Sequence, residues 1–375
     1  MSKSLGAWKV VCAAILGASS LCSVGSAFAD DRLLREVVEF NGAVMFLGSH
    51  VPGMVIGAVR NGETVVVGFG QASDGSGKAP DGQTILRIGS ITKAFAGQVL
   101  AGLVTRGTVK FTDKLQDRLG WPVKMPERGG RSIRLIELAT HTSGLPREVD
   151  RESGPADDPF RTLTREVYIK GLQSDPLLFA PGTGALYSNF AFDLLAAALS
   201  NAAGKPYETL LKEIVFDPAG LKDTMLALRS DADTKRLMQG HDFDGKPMPN
   251  VKTTDVMFGA SALYSTPDDI LRWLAWHLDR TASAAAELRL VDHAAYVPRD
   301  GLNPVAGLDD AGQMDAMGLG WVILGPKGNR PLILQKSGGL QGIFSYAAFA
   351  PARRVGGHAR SSAVPGSCLV ASQAG

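Results

Sequence analysis

Ser90-Ile91-Thr92-Lys93-Ala94-Phe95-Ala96-Gly97-Gln98-Val99-Leu100-Ala101-Gly102-Leu103-Val104-Thr105-Arg106 is the stretch on which the reading of this chain turns. Ile91, Phe95, Val99 and Leu103 recur at four-residue steps, which predicts a helix from Ser90 to Arg106, and Gly107 stands where such a helix stops. Residues three apart on a helix share a face, so the Lys93 amine is expected beside the Ser90 hydroxyl. A hydroxyl needs a base to become a useful nucleophile, and a desolvated Lys of lowered pKa can act as one. At a helix N-terminus the dipole favours developing negative charge, and a free backbone N–H can join an oxyanion hole. Alone the S-x-x-K is a weak signal, since a chain of this size holds about one by chance. The plain alternative is a capping Ser and a solvated Lys.

Working outward toward the N-terminus, Met54–Arg60 and Glu63–Phe69 are β-rich runs joined by Asn61-Gly62, a strong hairpin signal because both turn residues tolerate positive φ. Ser73 to Gly82 is Gly-, Asp- and Pro-rich and reads as a loop. The first 29 residues are different. Lys3 and Lys9 form a positive segment, Val10 to Leu21 is apolar, and Ala27-Phe28-Ala29 offers a cleavage site before Asp30. That order reads as a cleaved secretory signal peptide, with an apolar run too short to span a bilayer, and predicts export to the periplasm. Leu21 before Cys22 argues against a lipoprotein. Cys12 and Cys22 leave with the signal, so Cys368 has no internal disulfide partner and the core must carry stability.

Toward the C-terminus, Phe190–Ala203 reads as a buried helix ended by Gly204, with Asn189 as a candidate N-cap. Thr266-Pro267-Asp268-Asp269 starts another, with Thr266 as N-cap. Strand patterns return near Leu319–Leu324, Pro331–Gln335 and Ile343–Phe349. Strands at both ends and helices between predict an α/β (α+β) fold: one antiparallel sheet flanked by helices, with a mainly helical region inserted. The expected division is a sheet region of about 30–94 and 255–351 around a helical region of about 95–254. Of the 375 residues, 45% are hydrophobic and 20% charged, which suits a globular core, and the net charge of +2 gives no support to nucleic-acid binding.

Two further motifs carry chemistry. Tyr187-Ser188-Asn189 puts two polar side chains on one side of an extended segment. A phenol beside a Lys can relay protons to a leaving amine, and an Asn amide can hold a substrate amide. Lys336-Ser337-Gly338-Gly339 follows the apolar run Leu332–Gln335. A Lys and a hydroxyl at a strand edge can grip a carboxylate, and the glycines let a substrate backbone approach as an extra strand. The plain alternatives are a core Tyr with a capping Asn, and a solvated turn after an edge strand.

The ordered set S-x-x-K, Y-x-N and K-[ST]-G resembles the serine β-lactamases and penicillin-binding proteins. Tyr in the middle motif and His141-Thr142-Ser143-Gly144-Leu145-Pro146 are similar to the class C branch. Tyr187–Leu195, Tyr264-Ser265-Thr266-Pro267 and Leu319-Gly320-Trp321-Val322 are similar to the AmpH-type D-alanyl-D-alanine carboxypeptidase/endopeptidases. The resemblance, over about residues 35 to 351, implies a β-lactamase/transpeptidase-like fold and an acyl-enzyme mechanism. It implies Ser90 as nucleophile, with Lys93 and Tyr187 sharing general-base and general-acid duty. Asn189 would orient the substrate amide, and Lys336 and Ser337 would bind its carboxylate beside Gly338. The backbone N–H groups of Ser90 and Gly339 would form the oxyanion hole. His141 would be structural. No metal and no cofactor are expected. The implied partners are peptidoglycan peptides and β-lactams; membrane-surface contact and oligomeric state stay open. A D,D-peptidase is the leading reading, beside a class C-like β-lactamase, an esterase on the same scaffold, and a non-catalytic peptidoglycan-binding protein.

After Pro351 the resemblance stops. Residues 352–375 are Arg-, Ser-, Gly- and Ala-rich, and neither strand alternation nor a helical stripe is visible. This tail reads like an out-of-frame or disordered end, and the family's last strand and helix are expected to be missing.

Overall fold

The computed structural model describes residues 32–174, 176–279, 281–310, 312–354 and 367–373. The signal-peptide reading of residues 1–29 lies outside the described residues.

Eight strands form one antiparallel sheet. They are β1 (Gly53–Arg60), β2 (Glu63–Gly70), β3 (Val297–Pro298), β4 (Ala316–Met317), β5 (Val322–Leu324), β6 (Ile333–Leu340), β7 (Ile343–Phe349) and β8 (Ser367–Gln373), in the spatial order β2-β1-β8-β7-β6-β5-β4-β3. The predicted first hairpin is present, pairing Gly53 with Gly70 through Arg60 with Glu63. Its turn residues Asn61 and Gly62 both have positive φ, 53° and 88°, as a two-residue turn matched to strand twist requires.

The tail departs from its sequence reading. Residues 367–373 form β8, which lies between β1 and β7 and joins the two ends of the chain into one sheet: Met54 is opposite Ser372, and Phe344 is also opposite Ser372. Ser-Cys-Leu-Val-Ala-Ser-Gln lacks clear alternation because a central strand flanked on both sides is specified by its neighbours' ladders as much as by its own pattern. The expected missing final helix falls outside the described residues.

Helices cover both faces. A helix over residues 32–49, α1, lays Leu34 and Val38 against Met54, Ile56, Ala58 and Val65 of the first hairpin. On the other face α4 (Pro267–Leu278) packs on β1, β8 and β7; α2 (Thr92–Thr105) meets α4 through Phe95 and Trp273, and α3 (Asn189–Ala203) packs on α2. Thr92 to Leu103 of α2 are all buried, so this helix is surrounded rather than half-exposed. Phe95 stacks on Trp273 of α4 at 4.2 Å between centroids, and Trp273 stacks on Trp321 at 5.2 Å. Thr266 caps α4 as predicted, accepting a hydrogen bond from the Asp269 N–H. At α3 the cap is Ser188, whose hydroxyl accepts from the Ala191 N–H, and not Asn189. The Asn189 amide is turned away, into the cleft beside Lys93. The helix ends on Gly204 at φ 64°, as expected. No helix among the described residues is long and apolar enough to cross a membrane.

Candidate active site

Ser90 lies in a 3₁₀ turn, Gly89–Ile91, that leads directly into α2. The turn places Lys93 Nζ 3.2 Å from Ser90 Oγ. Lys93 is completely buried. Its amine donates to Asn189 Oδ1 at 2.5 Å and to the Ala260 carbonyl at 2.9 Å. Burial pushes its pKa down from the usual Lys range to about 7, so the neutral amine is accessible near neutral pH. The reading of Lys93 as a solvated surface residue is thereby set aside.

The Tyr187 hydroxyl is 2.5 Å from Ser90 Oγ. Tyr187 and Asn189 both reach the same cleft, because the extended backbone at Ser188 carries every second side chain to one side. Three cations surround the Tyr187 ring: Lys93 Nζ at 4.8 Å, the Arg147 guanidinium at 4.9 Å and Lys336 Nζ at 5.2 Å from its centroid. His141 stacks on the ring at 4.6 Å, and its Nδ1 accepts from the Ser188 N–H at 3.0 Å. Burial holds His141 well below the usual imidazole pKa, so it is a neutral brace for the Tyr-Ser-Asn segment.

Lys336-Ser337-Gly338-Gly339 lies within β6, not in a turn after it. Lys336 is buried and its Nζ donates to the Ser337 carbonyl at 2.7 Å. The strand register decides which backbone groups are free. Leu340 and Ile343 flank the two-residue turn Gln341-Gly342, so Leu340, Gly338 and Lys336 pair with β7 by hydrogen bonds. Ser337 and Gly339 turn their backbone groups to the opposite edge. There β5 reaches only Ile333–Gln335. The Gly339 N–H therefore points along an edge unoccupied among the described residues. It lies close to Ser90: a Cβ added at Gly89 would sit 2.6 Å from the Gly339 nitrogen. A Cβ at Gly338 would overlap the Ile88 carbonyl oxygen and come within 3.0 Å of the Ser90 nitrogen. Only glycine lets β6 approach the nucleophile this closely.

The family model described as Beta-lactamase matches residues 31–365. The chain belongs to the β-lactamase family. It is 36% identical to the D-alanyl-D-alanine-carboxypeptidase/endopeptidase AmpH of Escherichia coli K12, over 92% of this chain and 88% of that protein. It is 23% identical to a beta-lactamase of Pseudomonas fluorescens, over 86% and 92% of the two chains. A crystal structure of the beta-lactamase/D-alanine carboxypeptidase from Yersinia pestis complexed with citrate superposes with a TM-score of 0.75 at 35% identity, covering 88% of this chain and 89% of that one.

The three motifs quoted from the sequence thus meet in one cleft of a family member. Sequence reasoning missed several of its neighbours. Glu148 accepts from Asn189 Nδ2 at 2.5 Å, and Arg147 lies over Tyr187. Their signal was adjacency, since both directly follow Pro146 of the His-Thr-Ser-Gly-Leu-Pro loop. Gly307, Leu308, Asp310 and Gln335 line the cleft beside Tyr187, Lys336 and Ser337. Asp310 and Gln335 come from a distant loop and from β6, and no local pattern marked them. The fold also brings His277, Asp292 and His293 within 4.8 Å of one another, a grouping that His spacing alone did not indicate. Those groups already hydrogen-bond within the protein: His277 Nδ1 to His293 Nε2 at 2.9 Å, and Trp321 Nε1–H to Asp292 Oδ2 at 3.1 Å.

Proposed function

We propose that this chain is a periplasmic serine D,D-peptidase that cleaves D-alanyl-D-alanine-type peptides of peptidoglycan through an acyl-enzyme on Ser90, and that β-lactams acylate the same residue. One observation carries the reading: Ser90 Oγ is within hydrogen-bond reach of both Lys93 and Tyr187, beside an open strand edge that carries a Lys and a hydroxyl. The 36% identity to a named carboxypeptidase/endopeptidase over most of both chains supports the substrate class.

The substrate backbone lies along the open edge of β6, with its terminal carboxylate toward Lys336 and Ser337 and its acyl-side amide toward Asn189. Ser90 Oγ attacks the scissile carbonyl as its proton passes to the Lys93–Tyr187 pair. Negative charge on the carbonyl oxygen is held by the Ser90 and Gly339 N–H groups. Tyr187 and Lys93 return the proton to the leaving nitrogen, the C–N bond breaks, and an ester to Ser90 remains. Water, deprotonated by the same pair, then releases the acid and restores the Ser90 hydroxyl.

A class C-like β-lactamase would share the acylation step and differ in the speed of deacylation. Incubating the purified protein with a fluorescent penicillin separates the two. A long-lived adduct, absent in Ser90→Ala, with D-Ala release from a muramyl pentapeptide, is the expected result. Rapid turnover of the penicillin without peptide cleavage would replace the peptidase by the lactamase. Labelling that survives Ser90→Ala would overturn the assignment of the nucleophile.

A further inference from the structure

A buried carboxylate behind the cleft has no part in the chemistry above. Asp193 lies one helical turn past Asn189 on α3, so the two side chains share the face that meets α2. Asn189 touches the Lys93 amine directly. Asp193 reaches it through the backbone of one residue: Asp193 Oδ1 accepts from the Ala260 N–H at 2.8 Å, and the Ala260 carbonyl accepts from Lys93 Nζ at 2.9 Å. The second carboxylate oxygen accepts from the Tyr168 hydroxyl at 2.7 Å. Lys93 and Ala260 are fully buried, and Tyr168 and Asp193 are exposed by only 1% and 3%, so water does not screen or replace these bonds.

We infer that Asp193 is a positioning residue for Lys93, holding the Ala260 carbonyl where it receives the amine and setting, by its charge, how readily that amine gives up its proton. The inference rests on the proposed role of Lys93 as base in acyl transfer.

A carboxylate buried only to tie α3 to the 260s loop could be any hydrogen-bonding group. This one is an acid separated by a single residue, Ala260, from the amine that must cycle between charged and neutral forms. Burial pushes the Asp193 pKa up to about 7, while the Lys93 pKa is pushed down to about 7. Within the same range of pH, a proton on one group favours its loss from the other. Other charges face the amine as well. Glu148 favours its protonated form, and Arg147 opposes it. Lys336 and the neutral His141 lie on the same side, with Tyr187 between. Facing Asp193 are Tyr168, Tyr207, Glu148 and Lys93 itself. Among the described residues, Asp193 is the acidic group that both touches the Lys93 scaffold and is shut off from solvent.

Asp193→Asn keeps the shape and an acceptor for the Ala260 N–H but removes the charge. The test has two readouts on the full chain. The first is the pH dependence of Ser90 acylation by a fluorescent penicillin. Asp193→Asn is expected to move the acid limb about one pH unit lower and to slow acylation about tenfold below the wild-type plateau. Should Asp193→Asn fail to fold, Tyr168→Phe, which removes a donor that favours the charged carboxylate, is expected to move the limb in the same direction by a smaller amount. The second readout is the titration of the Lys93 Cε resonance in protein carrying ¹³C-labelled lysine, assigned with Lys93→Arg. It needs no catalysis. A Lys93 titration that is unchanged in whichever of these variants folds would overturn the inference even if acylation slowed. A wild-type protein that takes no Ser90 label, while the Lys93 titration still shifts in Asp193→Asn, would count against the proposed function and leave the positioning role standing.

Discussion

Lys93 Nζ and Asn189 Oδ1 are 2.5 Å apart although their residues are separated by 96 positions in the chain. The contact couples the first turn of α2 to the first residue of α3. It also explains why Asn189 does not cap its own helix: its carbonyl oxygen is committed to the amine. Ser188 takes over the cap. Replacing Asn189 by Leu would leave Lys93 with two partners and open a route for rotation of the amine. The acylation rate constant is expected to fall about 100- to 1,000-fold, with the far-ultraviolet spectrum unchanged.

Lys93 itself sets the pH dependence. Its pKa of about 7 predicts that kcat/KM for acylation rises with pH up to about 7 and then levels, as the neutral amine becomes the resident form. Lys93→Arg keeps a positive charge that cannot be removed near neutral pH, so acylation is expected to be lost by more than about 1,000-fold. Stopped-flow labelling between pH 5 and pH 9 is the measurement.

Gly338 is the point of closest approach between β6 and the nucleophile turn. A methyl group there overlaps the Ile88 carbonyl oxygen. Gly338→Ala is expected to push β6 outward, costing about 1–3 kcal/mol of stability by overpacking and about 100-fold or more in acylation through the displaced Gly339 N–H. Thermal melting and adduct formation report the two effects separately.

The Ser188 hydroxyl accepts from the Ala191 N–H at 3.0 Å and donates to the Pro146 carbonyl at 2.6 Å. It therefore caps α3 and clamps that helix to the His-Thr-Ser-Gly-Leu-Pro loop. Ser188→Ala is expected to destabilise the protein by about 1–2 kcal/mol in urea unfolding.

Asp292 is fully buried, and its Oδ1 has no hydrogen-bond partner among the described residues. Burial raises its pKa from 3.8 to about 8. Between these values the folded protein holds a proton that the unfolded chain has released, so stability is full below about pH 4 and falls as pH rises through about 8. His277 and His293, which burial shifts downward, act in the opposite direction below their ordinary range. The difference between Asp292→Asn and the parent chain isolates the carboxyl group. The variant is expected to be the more stable of the two at pH 8.5, by roughly 1–3 kcal/mol, and to lose that advantage by pH 5. Melting temperatures across this range measure it.

Much of the cleft was legible in the chain because its chemistry is carried by short local geometry. Ser90 and Lys93 share a face because a helical turn puts them there, and Tyr187 and Asn189 do so because the intervening backbone is extended. Lys336 to Gly339 could be recognised as a unit, but their placement inside β6 was not visible. Glycine-rich residues after an apolar run look like the end of a strand, and only pairing with β7 shows that the strand continues. The tail misled for a related reason. Ser367–Gln373 is held by hydrogen bonds to β1 and β7, neither of which leaves a local pattern in those residues.

By itself the sequence determined the helical and extended segments, the order of the three motifs and the identity of the nucleophile candidate, all of which follow from spacing of 3.6 or 2 residues along one backbone. The tertiary structure decided what surrounds them: that Lys93 is dry, that Asn189 faces it, that Asp193 stands behind Ala260, and that β8 joins the two ends of the chain. Those features arise from contacts between residues far apart in the chain. Desolvation and strand pairing depend on what packs alongside, and no local periodicity records that.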